Sequence, residues 1–382
     1  MKRMRTIPAA VLILFGACAL MTACGKTPAQ QAQAASEPTA AAQTAGEADQ
    51  TAAESTPADT PGPTETAAPV PSQPEETAEE AESDGAGVLN FTVVLHLEGW
   101  DDGEKEASFR RHAELLRGYA DLFEQYGAKM TLESKEIIEG CLNWDDNVLL
   151  EMQQRGHAVG IHADAGGSDD ATVRSIAETL TEMKANLALL GIDASFASGV
   201  ASKADWVTAC ERAGIDTVSC MVCYGLWSLK PALRPAEFRP YKNPADGHGA
   251  YPFDLADRVS PWRAKDGASW ILDDPTGALV ILPTGLSLNN AVEELSGESG
   301  AGRTEFTQDD IEAWAEALPQ AIAATDSGSV NTFYAVWSFG NAVDTDLLAE
   351  WLELVDGYVR QGSVRWSTVP EMAALYRASL TD

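Results

Sequence analysis

The stretch Arg155-Gly156-His157-Ala158-Val159-Gly160-Ile161-His162-Ala163-Asp164 constrains this chain more than any other. It reads as a short buried strand ending in chemistry. Side chains alternate across a strand, so Val159 and Ile161 share one face while Gly160, His162 and Asp164 share the other. The aliphatic face suits packing against helices. The small-then-polar face suits the inside of a barrel or the mouth of a sheet. His162 and Asp164 also fall at the carboxyl end of the strand, where parallel α/β folds place ligands and catalytic groups.

Around this stretch the chain alternates strand and helix signals from about Val88 onward, the pattern of a parallel α/β sheet. Strands are expected at 91–98, 129–133, 157–164, 194–198, 215–222, 278–282, 333–337 and 363–366. Helices are expected at 107–126, about 145–154, 169–190 and 344–361, with a closing helix from Pro370. Two more open at Ser202, with Asp205 as capping acid, and at Thr307, with Asp310 in that role. Residues 224–275, rich in Pro, Gly and Trp, break the rhythm and read as a long excursion over one end of the fold. Roughly seven strands, with 194–198 counted as the marginal one, in about 295 residues predict one irregular (β/α)7 TIM-like barrel over 87–382 rather than two domains.

The start of the chain reads differently. Lys2, Arg3 and Arg5 precede an apolar run at 11–20, too short for a stable membrane span, which marks residues 1–23 as a secretory signal. Met21-Thr22-Ala23-Cys24 resembles a bacterial lipobox, which implies lipidation of Cys24, a membrane anchor and an extracytoplasmic location; an ordinary cleaved signal is the alternative. Residues 24–86 are rich in Ala, Thr, Pro and Glu and nearly lack large apolar side chains, so they read as a disordered tether. The net charge of -32 argues against a nucleic-acid partner, since phosphate binding needs a basic face.

Cys141, Cys210, Cys220 and Cys223 remain after the tether. An exported chain permits disulfides, and Cys210 has the reach to the strand expected to carry Cys220. Cys220 and Cys223 are three apart on that strand and so point to opposite faces, poor geometry for a shared metal. Buried small hydrophobes are the simpler account.

Three consecutive strands repeat one logic at their carboxyl ends. His96 and Glu98 share a face on the first, Glu133 ends the second, and His162 and Asp164 end the third. Parallel neighbours bring these five residues to one mouth. His96, Glu98, His162 and Asp164 are candidate ligands for a divalent metal such as zinc, and Glu98, Glu133 and Asp164 are candidate catalytic carboxylates. The same groups also suit acid–base work without metal. His157 lies on the aliphatic face and reads as structural, His112 beside Arg110 and Arg111 reads as solvated, and His248 is undecided. Trp100, Trp262 and Trp270 stand in loops at the strand ends and are either stacking surfaces for a sugar, Trp100 and Trp262 above all, or plugs of the barrel end. Arg263 is a candidate contact for substrate oxygen, or the partner of one of the many acids.

Residues 155–162 resemble the R-G-H-E-[IV]-G-x-H segment of polysaccharide deacetylases, and Lys129-Met130-Thr131-Leu132 resembles the preceding K-x-T-[FL] strand of that family. Val364-Arg365-Trp366-Ser367-Thr368-Val369-Pro370-Glu371-Met372 is similar to its last strand and helix. The resemblance implies an irregular (β/α)7 barrel, a divalent metal held by one Asp and two His, a neighbouring Asp as base, and a glycan substrate that loses acetyl groups. Carried over residue by residue, His162 matches the first metal histidine and Glu98 the metal carboxylate, in preference to Asp101-Asp102-Gly103. Gly166 stands where the second histidine is expected. Ala197-Ser198-Gly199-Val200 replaces the R-x-P motif, and Val336-Trp337-Ser338 the late L-H motif. The site is therefore expected to be rebuilt, with His96 and Asp164 as replacement ligands or with no metal. Two other readings keep the barrel: a glycoside hydrolase using two of Glu98, Glu133 and Asp164, or an idle glycan-binding lipoprotein. A solute-binding lipoprotein would need two lobes and a hinge, which the sequence does not offer.

Overall fold

Short runs of alternating aliphatic residues, punctuated by Gly, Asp and Thr, build a single mixed sheet wrapped by helices. The computed structural model describes residues 87–381 except 100, 201, 240–248, 297–304 and 339–342. The expected signal, Cys24, the tether, Trp100 and His248 fall outside the described residues. In chain order the first elements are β1 (Leu89–Leu97), α1 (Glu106–Gln125), β2 (Met130–Ser134), α2 (Glu136–Asn143), α3 (Val148–Gln154), β3 (Ala158–His162) and α4 (Val173–Leu189). Next come β4 (Phe196–Ser198), α5 (Trp206–Ala213), β5 (Thr217–Val218), α6 (Tyr224–Trp227), β6 (Trp262–Ala264) and β7 (Leu279–Ile281). Last are β8 (Leu286–Ser287), α7 (Ala291–Ser296), α8 (Gln308–Ala323), β9 (Asn331–Ser338), α9 (Thr345–Arg360), β10 (Val364–Trp366) and α10 (Val369–Ser379).

The strands run in the order β6-β7-β5-β4-β3-β2-β1-β9-β8, with β10 beside the start of β1. Every pairing is parallel except β6 with β7. The sheet curls into an irregular (β/α)7-type barrel. The chain passes from β7 near one edge straight to β8 at the other, and Tyr334 of β9 spans the seam. Its hydroxyl accepts from Cys220 N at 2.6 Å and donates to Leu282 O at 3.2 Å.

Strand alternation sets what faces each way. On β1, Phe91, Val93, Leu95 and Leu97 point outward into the main core, where Phe91 meets Trp366 at 5.5 Å, Trp314 at 5.9 Å and Trp351 at 6.1 Å between ring centres. Inside the barrel, Val94, Ala158, Phe196, Val280 and Tyr334 pack with Val369, Met372 and Ala373 of α10. Gly160 is small because a Cβ there would lie 2.3 Å from the Phe196 ring. The closing helix seals the end where the strands begin. Val369 N donates to Thr131 Oγ1 at 3.1 Å, Lys129 meets Glu371 at 2.6 Å, and Arg377 donates to Asp216 O at 2.6 Å.

Asp344 caps α9, and capping agrees with the sequence at Thr307/Asp310. At α5 it does not: Asp205 itself caps, accepting from Thr208 N at 3.1 Å, and Ser202 lies upstream. The helix α2 and the short strands β6 and β8 are additions to the expected pattern. Two further expectations are corrected. His112 is not solvated: it is buried, with Nδ1 2.7 Å from the buried Asp102 carboxylate. Cys220 and Cys223 do not lie on a strand, because β5 ends at Val218 and Cys220 has a positive φ of 54°. All four cysteines of the described residues are buried, and Cys141, Cys210 and Cys220 are free.

Candidate metal centre

Register stacks the barrel's inward side chains in layers. His96 on β1 pairs with Glu133 on β2, and Glu133 with Gly160 on β3; one layer further toward the carboxyl ends, His162 on β3 pairs with Ser198 on β4. Glu98 continues the inward face of β1 by the same alternation. Below these layers Val94, Ala158, Phe196 and Tyr334 fill the interior, with the paired Thr92 and Thr131 hydroxyls beneath, so the charged residues form the floor and rim of the carboxyl-end opening.

His96, Glu98, Glu133, His162 and Asp164 do come together. The two imidazoles lie 4.3 Å apart between ring centres. His162 Nε2 is 3.0 Å from Glu98 Oε2 and 3.3 Å from Asp164 Oδ1, and its Nδ1 is 2.8 Å from Ser198 Oγ. Lys135 Nζ sits 2.9 Å from the other oxygen of Asp164, which is about half exposed at the rim. On the floor, His96 Nε2 lies 3.0 Å from Glu133 Oε2, and the other Glu133 oxygen accepts from Ser219 Oγ. Despite that approach, neither His96 Nε2 nor Glu133 Oε2 has a hydrogen-bond partner.

The charges follow from these contacts. Burial alone would hold His162 neutral, but hydrogen bonds to Asp164 and Glu98 outweigh it and push the imidazole up to about 9. Glu98 shows the reverse balance: burial opposes ionisation, His162 wins, and the carboxyl lies below its usual range. Asp164 is held well below that range by its bond from His162, against burial and with help from Lys135. Burial and the nearby Glu133 carboxylate push the Cys220 thiol well up.

The donor set fits a divalent cation. One donor atom each from His96, Glu98 and His162 lie within 4.8 Å of one another, and so do donors from His96, Glu133 and Cys220. A tetrahedral ion with ligands at about 2.0–2.3 Å spaces its donors by roughly 3.5 Å, a modest contraction. The Nδ1 contact to Ser198 orients Nε2 of His162 toward the opening, as a ligand imidazole requires. At position 166 a Cβ would lie 2.3 Å from Ser202, on a φ of +82°, so this backbone has no place for the histidine that the sequence resemblance would put there.

Two of the residues expected to touch substrate are engaged elsewhere. Trp262 is buried beside Trp270 and Tyr251, with its indole N–H donated to Trp270 O at 2.5 Å. That leaves no open ring face for a sugar. Arg263 grips both oxygens of Asp273 at 3.1 Å each and donates to Pro275 O at 3.2 Å. Sequence reasoning passed over Lys135, Ser198 and Ser219 as site residues, and weighed Cys220 only as a partner of Cys210 or Cys223 or as a buried hydrophobe. Lys135 follows Glu133 by two and Ser198 ends its strand, signals that strand periodicity offers. Cys220 reaches the floor only because its backbone turns out of the strand.

No family model matches this sequence, and no curated protein matches it. Among solved structures the chain is similar to a Puue allantoinase (13% identity, TM-score 0.49, 76% of this chain and 90% of that one). It is also similar to a probable polysaccharide deacetylase from Pseudomonas aeruginosa PAO1 (12% identity, TM-score 0.49, 76% and 91%). A third likeness is to a family 4 acetyl xylan esterase from Clostridium thermocellum (11% identity, TM-score 0.37, 75% and 91%). Likenesses of this depth carry no argument about activity, which rests on the side chains.

Proposed function

We propose that this chain is a metal-dependent hydrolase that removes acyl groups from a cell-wall or extracellular glycan, held at the outer face of a membrane by a lipid on Cys24. The observation that carries the reading is the convergence of His96, Glu98 and His162 donors within 4.8 Å at the carboxyl end of a parallel barrel. The sequence resemblance at 155–162 supplies the substrate class, and the lipobox-like segment supplies the anchor.

His96, Glu98 and His162 would hold the ion. When bound, a divalent cation supplies Lewis acidity that polarises an acyl carbonyl and acidifies water. Ser198 fixes the tautomer and aim of His162. Asp164, at the rim and anionic, takes the proton of the attacking water and passes it toward the leaving group. Lys135 orients Asp164 and adds positive charge where a carbonyl oxygen becomes negative. Glu133 keeps His96 directed into the opening.

Elemental analysis of the purified chain and an acetate-release assay on acetylated chitin and xylan oligosaccharides test this. The expected result is one equivalent of divalent metal, acetate release, and a loss of at least ~100-fold in turnover for Asp164→Asn. Metal and activity are both expected to vanish in His162→Ala. New reducing ends without acetate would move the assignment to glycosidic cleavage, and a metal-free, inert wild type would remove the hydrolase altogether.

A further inference from the structure

The floor of the opening holds a second donor set, of which the proposed deacylation takes only His96 as a ligand. Glu133 is fully buried, one oxygen satisfied by Ser219 and the other without a hydrogen-bond partner. His96 Nε2, 3.0 Å away, is likewise unsatisfied. Cys220 brings its sulfur to the same point, its backbone N–H held by Tyr334 at 2.6 Å. Donor atoms of the three lie within 4.8 Å of one another. Unsatisfied buried polar atoms are rare, and two that converge beside a buried thiol, all three of ligand type, call for a shared partner.

We propose that His96, Glu133 and Cys220 form a site for a thiophilic divalent cation of the zinc class, with Cys220 as thiolate ligand. The chemistry selects the ion: imidazole, carboxylate and thiolate suit zinc and its neighbours, whereas magnesium and calcium take oxygen. The charge also balances. Two anionic ligands and a neutral imidazole around a dication sum to zero, the state a low-dielectric interior tolerates. The site shares His96 with the outer set but needs neither Glu98 nor His162.

Titration of cobalt(II) into the metal-free full-length chain, followed by optical spectroscopy, reads the ligand directly. A thiolate-to-cobalt charge-transfer band is expected, absent in Cys220→Ser and retained in Cys141→Ser, Cys223→Ser and Glu98→Gln. Zinc binding in Cys220→Ser is expected to weaken beyond the ~10–100-fold that loss of an outer-shell partner produces. X-ray absorption on the zinc-loaded wild type needs no variant: sulfur at about 2.3 Å supports the site, and nitrogen and oxygen alone near 2.0 Å overturn it. Cobalt bound without the band, and released by His162→Ala, overturns the floor site and leaves the outer one standing. A band that survives Cys220→Ser also overturns it. No cobalt uptake overturns both, leaving His96 and Glu133 as a buried ion pair.

Discussion

Gly160 on β3 and His157 just before it show how much a single side chain decides here. The Cβ of Gly160→Ala would meet an aromatic ring that is itself enclosed by the barrel, so the ring must move. Overpacking of this kind costs about 1–3 kcal/mol, to be read as a lower urea midpoint with an unchanged slope. His157 is buried, with Nδ1 accepting from Met130 N at 3.1 Å. Burial lowers its pKa, only partly countered by Glu124. The unfolded chain therefore takes up the proton first. This histidine's contribution to stability is complete above about pH 6.5 and is lost as pH falls toward the folded value. His157→Asn keeps an acceptor without a proton-binding site, so its stability should fall less than wild type between pH 7.5 and 5.5. Equal falls would refute the assignment. The strand's alternation announced which of its residues turn inward, but the contact between Gly160 and Phe196 depends on a neighbour some thirty-six positions away.

At the level of elements, the seam of the barrel rests on one hydroxyl. Tyr334 takes the N–H of Cys220 and gives to the carbonyl of Leu282, joining β9 to the segments after β5 and β7. Tyr334→Phe keeps the ring and removes both bonds, leaving buried backbone groups without them, so a loss of about 1–3 kcal/mol is expected in chemical denaturation. Hydrogen exchange should localise the loss: the Cys220 amide is expected to lose protection while β1 amides keep theirs. Central strands and long amphipathic helices were legible because period two and period 3.6 leave clear marks in β1, β3, α1 and α9. The short strands β6 and β8 were not, since two or three residues carry no period. The end of β5 was misjudged for a related reason. The run Thr217 to Val222 has strand composition throughout, and only the positive φ of Cys220 breaks it.

For the whole molecule, the amino end is shut by α10 while the carboxyl end stays polar. Met372 is fully buried among Val94, Phe196 and Tyr334 in the barrel interior, which makes the helix a structural plug. Met372→Ala is expected to cost about 2–5 kcal/mol, and calorimetry would show it as a lower midpoint of the single main transition. A small effect would mean that the plug is dispensable.

The alternation of strand and helix, the inward aim of His96, Glu98, His162 and Asp164, and their place at the carboxyl ends of the strands were all written in the sequence, because they depend on local periods and on the regular geometry of parallel sheets. Which of those groups touch was decided only by tertiary structure. Trp262 and Arg263 stand in an excursion whose composition says nothing of its path, and folding gave them to Trp270 and Asp273. Cys220 entered the floor, and position 166 lost room for a side chain, through backbone turns and close approaches between distant segments. Such contacts leave no periodic trace in the chain, since they are set by how the layers stack.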